Sequence, residues 1–163
     1  MLTSTAMALI LMSVLKFSPA AAACPNDWKQ FQHSCYGVAD QLFTYAEALS
    51  ILCEMRQDNV LVQTICTKEA GDLLQINSES ENRYIARLLP QNLAYSVWLG
   101  ITDLFEEGVW MYSGRGTDLT YTKWSSNQPD NYNGMEDCAA LNITTKLWYD
   151  THCGSRLFFV CEV

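Results

Sequence analysis

Between Trp124 and Cys138 the chain reads SSNQPDNYNGMED (residues 125–137), a stretch of turn formers and oxygen-bearing side chains with no apolar run. A polar loop of this length inside a compact domain is uncommon unless it is functional, so it reads as a ligand loop held on a scaffold. Working outward, short apolar or aromatic runs flank it on both sides: VWLGI (97–101), VWMY (109–112) and LTYTKW (119–124) before it, CAALNI (138–143), KLWYD (146–150) and LFFVCEV (157–163) after it. Gly, Asn, Asp and Pro separate these runs, which is the pattern of β-strands. Further upstream the period changes. TYAEALSI (44–51) is made of helix formers without a breaker. A second helix opens at Ser78 with Glu81 as a capping box, carries an apolar stripe of Ile85, Leu88 and Leu89, and stops at Pro90. Cys24 to Tyr36 reads as a short hairpin closed by two cysteines. Two helices followed by strands give an α+β domain.

The chain has 163 residues, enough for one domain. Eighteen acidic residues against ten basic ones, a net charge of −8, argue against a nucleic-acid partner held by phosphate contacts. Hydrophobic residues at 49% with 17% charged indicate a packed core. Residues 6–15, AMALILMSVL, form one short apolar run followed by Pro19 and Ala20 to Ala23, so residues 1–23 read as a signal peptide cleaved after Ala23, with a buried core helix as the alternative. The run is too short to span a bilayer, so the reading is a secreted, extracellular protein without a membrane span. In an oxidising compartment the seven cysteines, at 24, 35, 53, 66, 138, 153 and 161, are first a disulfide framework. With no C-x-x-C and only His33 and His152, zinc is disfavoured. Asn142-Ile143-Thr144 is an N-glycosylation sequon.

Asp103, Glu107, Gln128, Asp130, Asn131, Glu136, Asp137 and Asp150 read as oxygen donors in loops that border the strands, and six of them are carboxylates. Such a set suits a hard cation with six to eight oxygen ligands, Ca²⁺ before Mg²⁺ or Zn²⁺. A solvated acidic surface accounts for the same composition equally well.

Cys24-Pro25 with Trp28, Phe31 and Cys35-Tyr36; Trp98-Leu99-Gly100-Ile101; Trp110; Trp124; Gln128-Pro129-Asp130; Gly134 with Glu136-Asp137-Cys138; Trp148 with Asp150 and Cys153; and Phe159-Val160-Cys161-Glu162 follow one another in an order that resembles the C-type lectin-like family, long form, over nearly all of residues 24–163. The resemblance implies two helices and two small antiparallel sheets with a long ligand-binding loop, bridges Cys24–Cys35 and Cys138–Cys153, and a cis Pro129. It implies a sugar-site Ca²⁺ held by Gln128, Asp130, Glu136 and Asp150, with two sugar hydroxyls completing its shell. Gln128, Asp130 and Glu136 would also contact the sugar. The order Gln-Pro-Asp is similar to galactose-selective members, and Tyr132 matches the aromatic that stacks on the sugar's apolar face; a tyrosine packed within its own loop is the other reading of Tyr132. Asp103, Glu107, Asn131 and Asp137, sharing Glu136, match an auxiliary calcium site. In Trp148-Tyr149-Asp150 the chain departs from the family, which carries Asn where Tyr149 stands, and a neutral phenol is a poor Ca²⁺ donor.

In the family the first-helix cysteine stands five residues before a Gly-Asp-Leu run. Cys66 has that spacing to Gly71-Asp72-Leu73, and deleting residues 52–65 joins TYAEALSI to CTKEAGDLLQI. Residues 52–65 therefore read as an insertion, with Cys66 bonded to Cys161 and Cys53 unpaired; the opposing reading bonds Cys53 to Cys161. A free Cys53 would permit a disulfide-linked homo-oligomer beside a non-covalent one. The resemblance implies a secreted, calcium-dependent lectin for glycans ending in galactose or N-acetylgalactosamine, a glycoprotein of innate immune recognition. The alternative is a module of the same fold that binds a protein, ice or mineral surface. With neither G-x-S-x-G nor H-E-x-x-H in the chain, no enzyme is expected.

Overall fold

VWLGI is apolar at every position, and a strand of that kind needs cover on both faces. In the computed structural model, which describes residues 24–25, 27–54, 71–89, 95–113 and 116–163 with the side chains of 51–54 excepted, all seven residues of the strand it forms are buried. The elements run β1 (Lys29–Phe31), β2 (Ser34–Val38), α1 (Tyr45–Glu54), β3 (Asp72–Leu73), α2 (Glu79–Leu88), β4 (Ser96–Thr102), β5 (Met111–Tyr112), a 3-10 turn (Tyr132–Gly134), β6 (Cys138–Asn142), β7 (Leu147–Thr151) and β8 (Phe158–Glu162). Alternation along the strands decides which helix covers which face. Val97, Leu99 and Ile101 of β4 cluster with Ala139 and Leu141 of β6 and with Ile85 and Leu89 from α2 and its end. Trp98 clusters with Ala140, Phe159 and Cys161 and with Tyr45 and Ala48 of α1.

The strand order is β1-β2-β8-β4-β6-β7, with β3 on β8 and β5 on β4. The expected two antiparallel sheets share β8, whose parallel register with β4 (Val97↔Phe158, Trp98↔Phe159) joins them into one mixed sheet. Gly100 belongs to that junction: a Cβ there would run into the main-chain carbonyl of Leu73, and its N–H donates to Leu74 O at 2.7 Å. Cys24 is bonded to Cys35 and Cys138 to Cys153. Cys161 is also in a disulfide. Cys66 and the side chain of Cys53 lie outside the described residues, as do residues 1–23 of the expected signal peptide, Pro90 and residues 55–65 of the expected insertion; residues 52–54 continue α1. Among the described residues no helix is long and apolar enough to cross a membrane.

Both helices open on side-chain caps. Thr44 Oγ1 accepts from Glu47 N at 3.2 Å while Glu47 Oε2 accepts from Thr44 N at 2.8 Å, a reciprocal capping box. At α2, Ser78 Oγ accepts from Glu81 N, but Glu81 reaches back to Asn77 N at 2.8 Å and also accepts from Tyr36 Oη at 2.7 Å, so its half of the box is displaced by one residue. LTYTKW is not a strand. It meets β7 at the single bridge Trp124↔Trp148, because Tyr121 Oη and Lys123 Nζ are committed to Glu79 of α2, each at 2.6 Å. KLWYD loses its first residue to the β6–β7 turn, where Lys146 has φ 63°.

Asn82 of α2, fully buried, accepts from Trp148 Nε1 at 2.8 Å and donates to Lys146 O at 2.9 Å, and so fastens the helix to β7 and its turn. Asn82→Ala strands both partners, and equilibrium denaturation is expected to register a loss of about 2–4 kcal/mol. Glu79 supplies a second prediction. Hydrogen bonds from Lys123, Tyr121 and Arg83 hold its carboxyl down to about 2 from an ordinary 4.5. The stabilisation is therefore present above pH 4.5 and disappears as the pH falls through 2. The acid slope of the unfolding free energy in that window should flatten in Glu79→Gln, and flatten for wild type in about 1 M salt, where the Debye length is about 3 Å.

Candidate functional site

The long loop leaves the scaffold at Trp124 and returns at Cys138. Its exit is fixed beside β7, with Ser125 N donating to Trp148 O at 2.8 Å and Trp148 N to Lys123 O at 2.9 Å. Its return is fixed by the Cys138–Cys153 bond and by pairing of Cys138 with Thr151. Trp110, Trp124 and Trp148 stack edge to face (centroids 4.8 and 5.8 Å apart), with Trp148 in the core and the other two packed against it. Between exit and return the backbone bends through positive φ at Asn127, Asn131, Asn133 and Gly134, which is why these positions carry Asn and Gly. The Gln128–Pro129 bond is cis.

Three carboxylates converge inside this loop. One oxygen each of Asp130, Glu136 and Asp150 lie within 4.8 Å of one another, the only such group among the described residues. Asp150 stands on β7, not in a loop, and is buried. Its Oδ1 accepts from Asp130 N at 3.2 Å, its Oδ2 accepts from Asn131 N at 2.7 Å, and its own N–H donates to Gln128 Oε1 at 2.9 Å. Glu136 Oε2 accepts from Tyr132 N at 3.1 Å, while Glu136 N donates to Asn131 Oδ1 at 3.1 Å. Burial pushes the Glu136 carboxyl up, and the charges of Asp150 and Asp130 push it further. A divalent cation relieves that repulsion, and an all-oxygen donor set of Gln128, Asp130, Glu136 and Asp150 fits calcium chemistry. Both histidines stand outside the group; His152 Nδ1 accepts from Gly154 N at 2.9 Å.

The auxiliary set is arranged differently. Asp103 is buried, with Oδ2 accepting from Gly108 N at 3.0 Å and Oδ1 without a partner. Burial raises its carboxyl, with Glu107 and Asp137 adding to the rise. An orphaned buried carboxylate oxygen facing two further acids fits a cation, although Asp103, Glu107 and Asp137 do not close to the spacing of the first group. Asp137 contributes its main-chain oxygen, which accepts from Thr102 Oγ1 at 2.6 Å and Asp103 N at 3.3 Å. Asn131 spends its Oδ1 on Glu136 N.

Tyr132 is 67% exposed on the 3-10 turn, not packed within its loop. Tyr149 is half-buried, and β7 alternation turns it away from the face of Trp148 and Asp150 to pack with the α1-side cluster. Burial raises its phenol, which lies beside the Ser96 hydroxyl. Asn142 ends β6 and its Oδ1 accepts from Thr144 N and Thr145 N, both at 3.0 Å. Asn82 escapes a motif reading although it sets the position of Trp148, two residues from Asp150. Its signal is a polar residue on the apolar stripe, three before Ile85 and seven before Leu89.

Residues 60–163 match the family described as the Lectin C-type domain. Perlucin of Haliotis laevigata is 31% identical over 141 residues, 85% of this chain and 82% of its own length. C-type lectin 1 of Hydrophis hardwickii is 29% identical over 157 residues, 94% and 88% of the two chains. The mouse scavenger receptor C-type lectin carbohydrate-recognition domain shares the fold with a TM-score of 0.71 at 28% identity, covering 86% of this chain and 98% of that one. With the mixed sheet, the two helices and the long loop in place, the chain belongs to the Lectin C-type domain family.

Proposed function

We propose that this protein is a calcium-dependent carbohydrate-binding lectin of the galactose and N-acetylgalactosamine type, secreted after cleavage at Ala23, glycosylated at Asn142, and acting by binding alone. The convergence of Asp130, Glu136 and Asp150 with Gln128 fastened to the same strand carries the reading. Gln128, Asp130, Glu136 and Asp150 would hold the ion. Bound there, Ca²⁺ supplies open coordination positions for two neighbouring sugar hydroxyls. The chain's own groups do the selecting: carboxylates accept hydrogen bonds from sugar hydroxyls, the Gln128 amide N–H donates one to a sugar oxygen, and the exposed Tyr132 ring offers its face to the apolar side of a pyranose. Asp103, Glu107, Asn131 and Asp137, with Glu136, are the proposed auxiliary site. Innate immune recognition is the proposed setting, with avidity from homo-oligomers, disulfide-linked through Cys53 or non-covalent. The surface-binding alternative draws on position 149, where a tyrosine turned to the other face of β7 supplies no ligand to the ion, and the same experiment decides between them.

Retention on galactose resin in Ca²⁺ and release by EDTA are expected, with weaker retention on mannose resin; a folded protein that passes through both resins rejects the sugar-binding reading. Calcium should raise the thermal midpoint, with a stabilisation of about 2.7 kcal/mol when the ion is at about 100 times its Kd. Glu136→Gln removes one of three crowded charges, so it should match or exceed wild type in EDTA and lose most of the calcium shift, read by calorimetry in both buffers.

A further inference from the structure

Seven large apolar side chains are exposed among the described residues, and five of them, Leu104, Phe105, Val109, Tyr132 and Met135, stand on two loops, 103–109 and 130–137. The two loops are joined at Asp137, whose main-chain oxygen accepts from Thr102 Oγ1 at 2.6 Å and from Asp103 N at 3.3 Å. Phe105, at 80%, is the most exposed of the group. That exposure is built into the backbone. Leu104 N donates to Thr102 Oγ1 at 3.2 Å, Glu106 N to Asp103 O at 3.1 Å, Gly108 N to Asp103 Oδ2 at 3.0 Å and Val109 N to Glu106 O at 2.9 Å. These bonds fix the chain on both sides of Phe105, so its ring is held out in water instead of tucked under the loop. Exposed apolar side chains gathered in one place mark a surface that meets a protein or a membrane.

Position and charge together select the occupant. None of the five side chains lines the cleft beside Tyr149 or the one beside Glu162, so whatever they meet must bring the apolar phase itself. A bilayer does so. The same two loops carry Asp103, Glu106, Glu107, Asp130, Glu136 and Asp137 and no Lys, Arg or His. Such a face repels anionic headgroups, and a second copy would bring the same acids against it. Quaternary ammonium is complementary on both counts, because carboxylates attract its charge and exposed aromatic rings attract it through their faces. We propose that loop 103–109 docks on a bilayer of choline phospholipid, with Phe105 and Leu104 entering the headgroup boundary and the exposed Glu106 meeting the choline ammonium groups. Glu106 belongs to neither proposed ion site, so the contact needs neither calcium nor sugar and goes beyond the lectin reading.

The test is co-sedimentation of the protein with vesicles of pure phosphatidylcholine, in EDTA and again in calcium. Saturable binding is expected in both buffers, and in EDTA it should weaken as phosphatidylserine replaces part of the lipid. Phe105→Ser should keep the thermal midpoint of wild type and lower the partition coefficient about tenfold, and Leu104→Ser should lower it about threefold. In a Phe105→Trp protein, phosphatidylcholine with brominated chains should quench the fluorescence more than it does in wild type, as a ring at the headgroup boundary requires. No binding to phosphatidylcholine in either buffer, or binding that Phe105→Ser leaves unchanged, overturns the proposal. Binding confined to phosphatidylserine vesicles in calcium also overturns it, in favour of an ion bridging to phosphate. So does self-association without vesicle binding that Phe105→Ser abolishes, which makes a second copy the occupant. Retention on galactose resin is a separate readout, so the lectin reading stands or falls on its own.

Discussion

The buried carboxylate of Asp150 closes the long loop onto the scaffold. It accepts the N–H groups of Asp130 and Asn131, and the N–H of its own residue is taken by Gln128, so three consecutive parts of the loop are tied to one point on β7. Without those acceptors, Asp130 and Asn131 would have main-chain donors with no partner just after the cis bond and at the positive φ of Asn131. The same side chain is one of the three converging acids. Loop architecture and site chemistry therefore depend on a single group.

That arrangement sets charge repulsion against packing. Carboxylate oxygens within 4.8 Å of one another repel, less where water reaches Asp130. The loop supplies little apolar burial to oppose this, so the opposing term comes from outside it. Trp148 sits in the core, accepts Trp124 against its ring and gives its indole N–H to Asn82, and the β6–β7 pair is stapled by Cys138–Cys153. The apolar sheet holds β7 rigidly, and β7 holds the acids together. A cation would turn that stored repulsion into attraction without requiring the scaffold to move.

Much of the scaffold is legible because its signals are local. A continuous apolar run such as VWLGI has one reading when covered on both faces, and Ser78 with Glu81 marks a helix start. The Thr44-x-x-Glu47 box carries the same local signature at the start of α1. Asp72–Leu73 was not readable: two residues have no period, and they pair with β8 because the sheet supplies an edge there. LTYTKW shows the opposite failure, strand composition overridden by the tertiary ties of Tyr121 and Lys123 to Glu79. For the site, the family resemblance named the residues that converge, yet nothing in spacing distinguishes Asp150 as a loop clamp from Asp150 as one acid among several. Hydrogen bonds between a strand side chain and main-chain donors about twenty residues away leave no trace in sequence.

Strand alternation also explains how the fold tolerates a phenol beside the site. Trp148 and Asp150 point to one face of β7, and the intervening residue must point to the other. A bulky side chain at position 149 therefore does not enter the space between Asp130, Glu136 and Asp150. It packs with Trp98 and Ala140 across the sheet, with the Ser96 hydroxyl beside its own. Burial raises the Tyr149 phenol there, and the charge of Glu136 adds to the rise. The hydrogen bonds that anchor the loop to β7 run through Asp150 and not through the side chain at position 149.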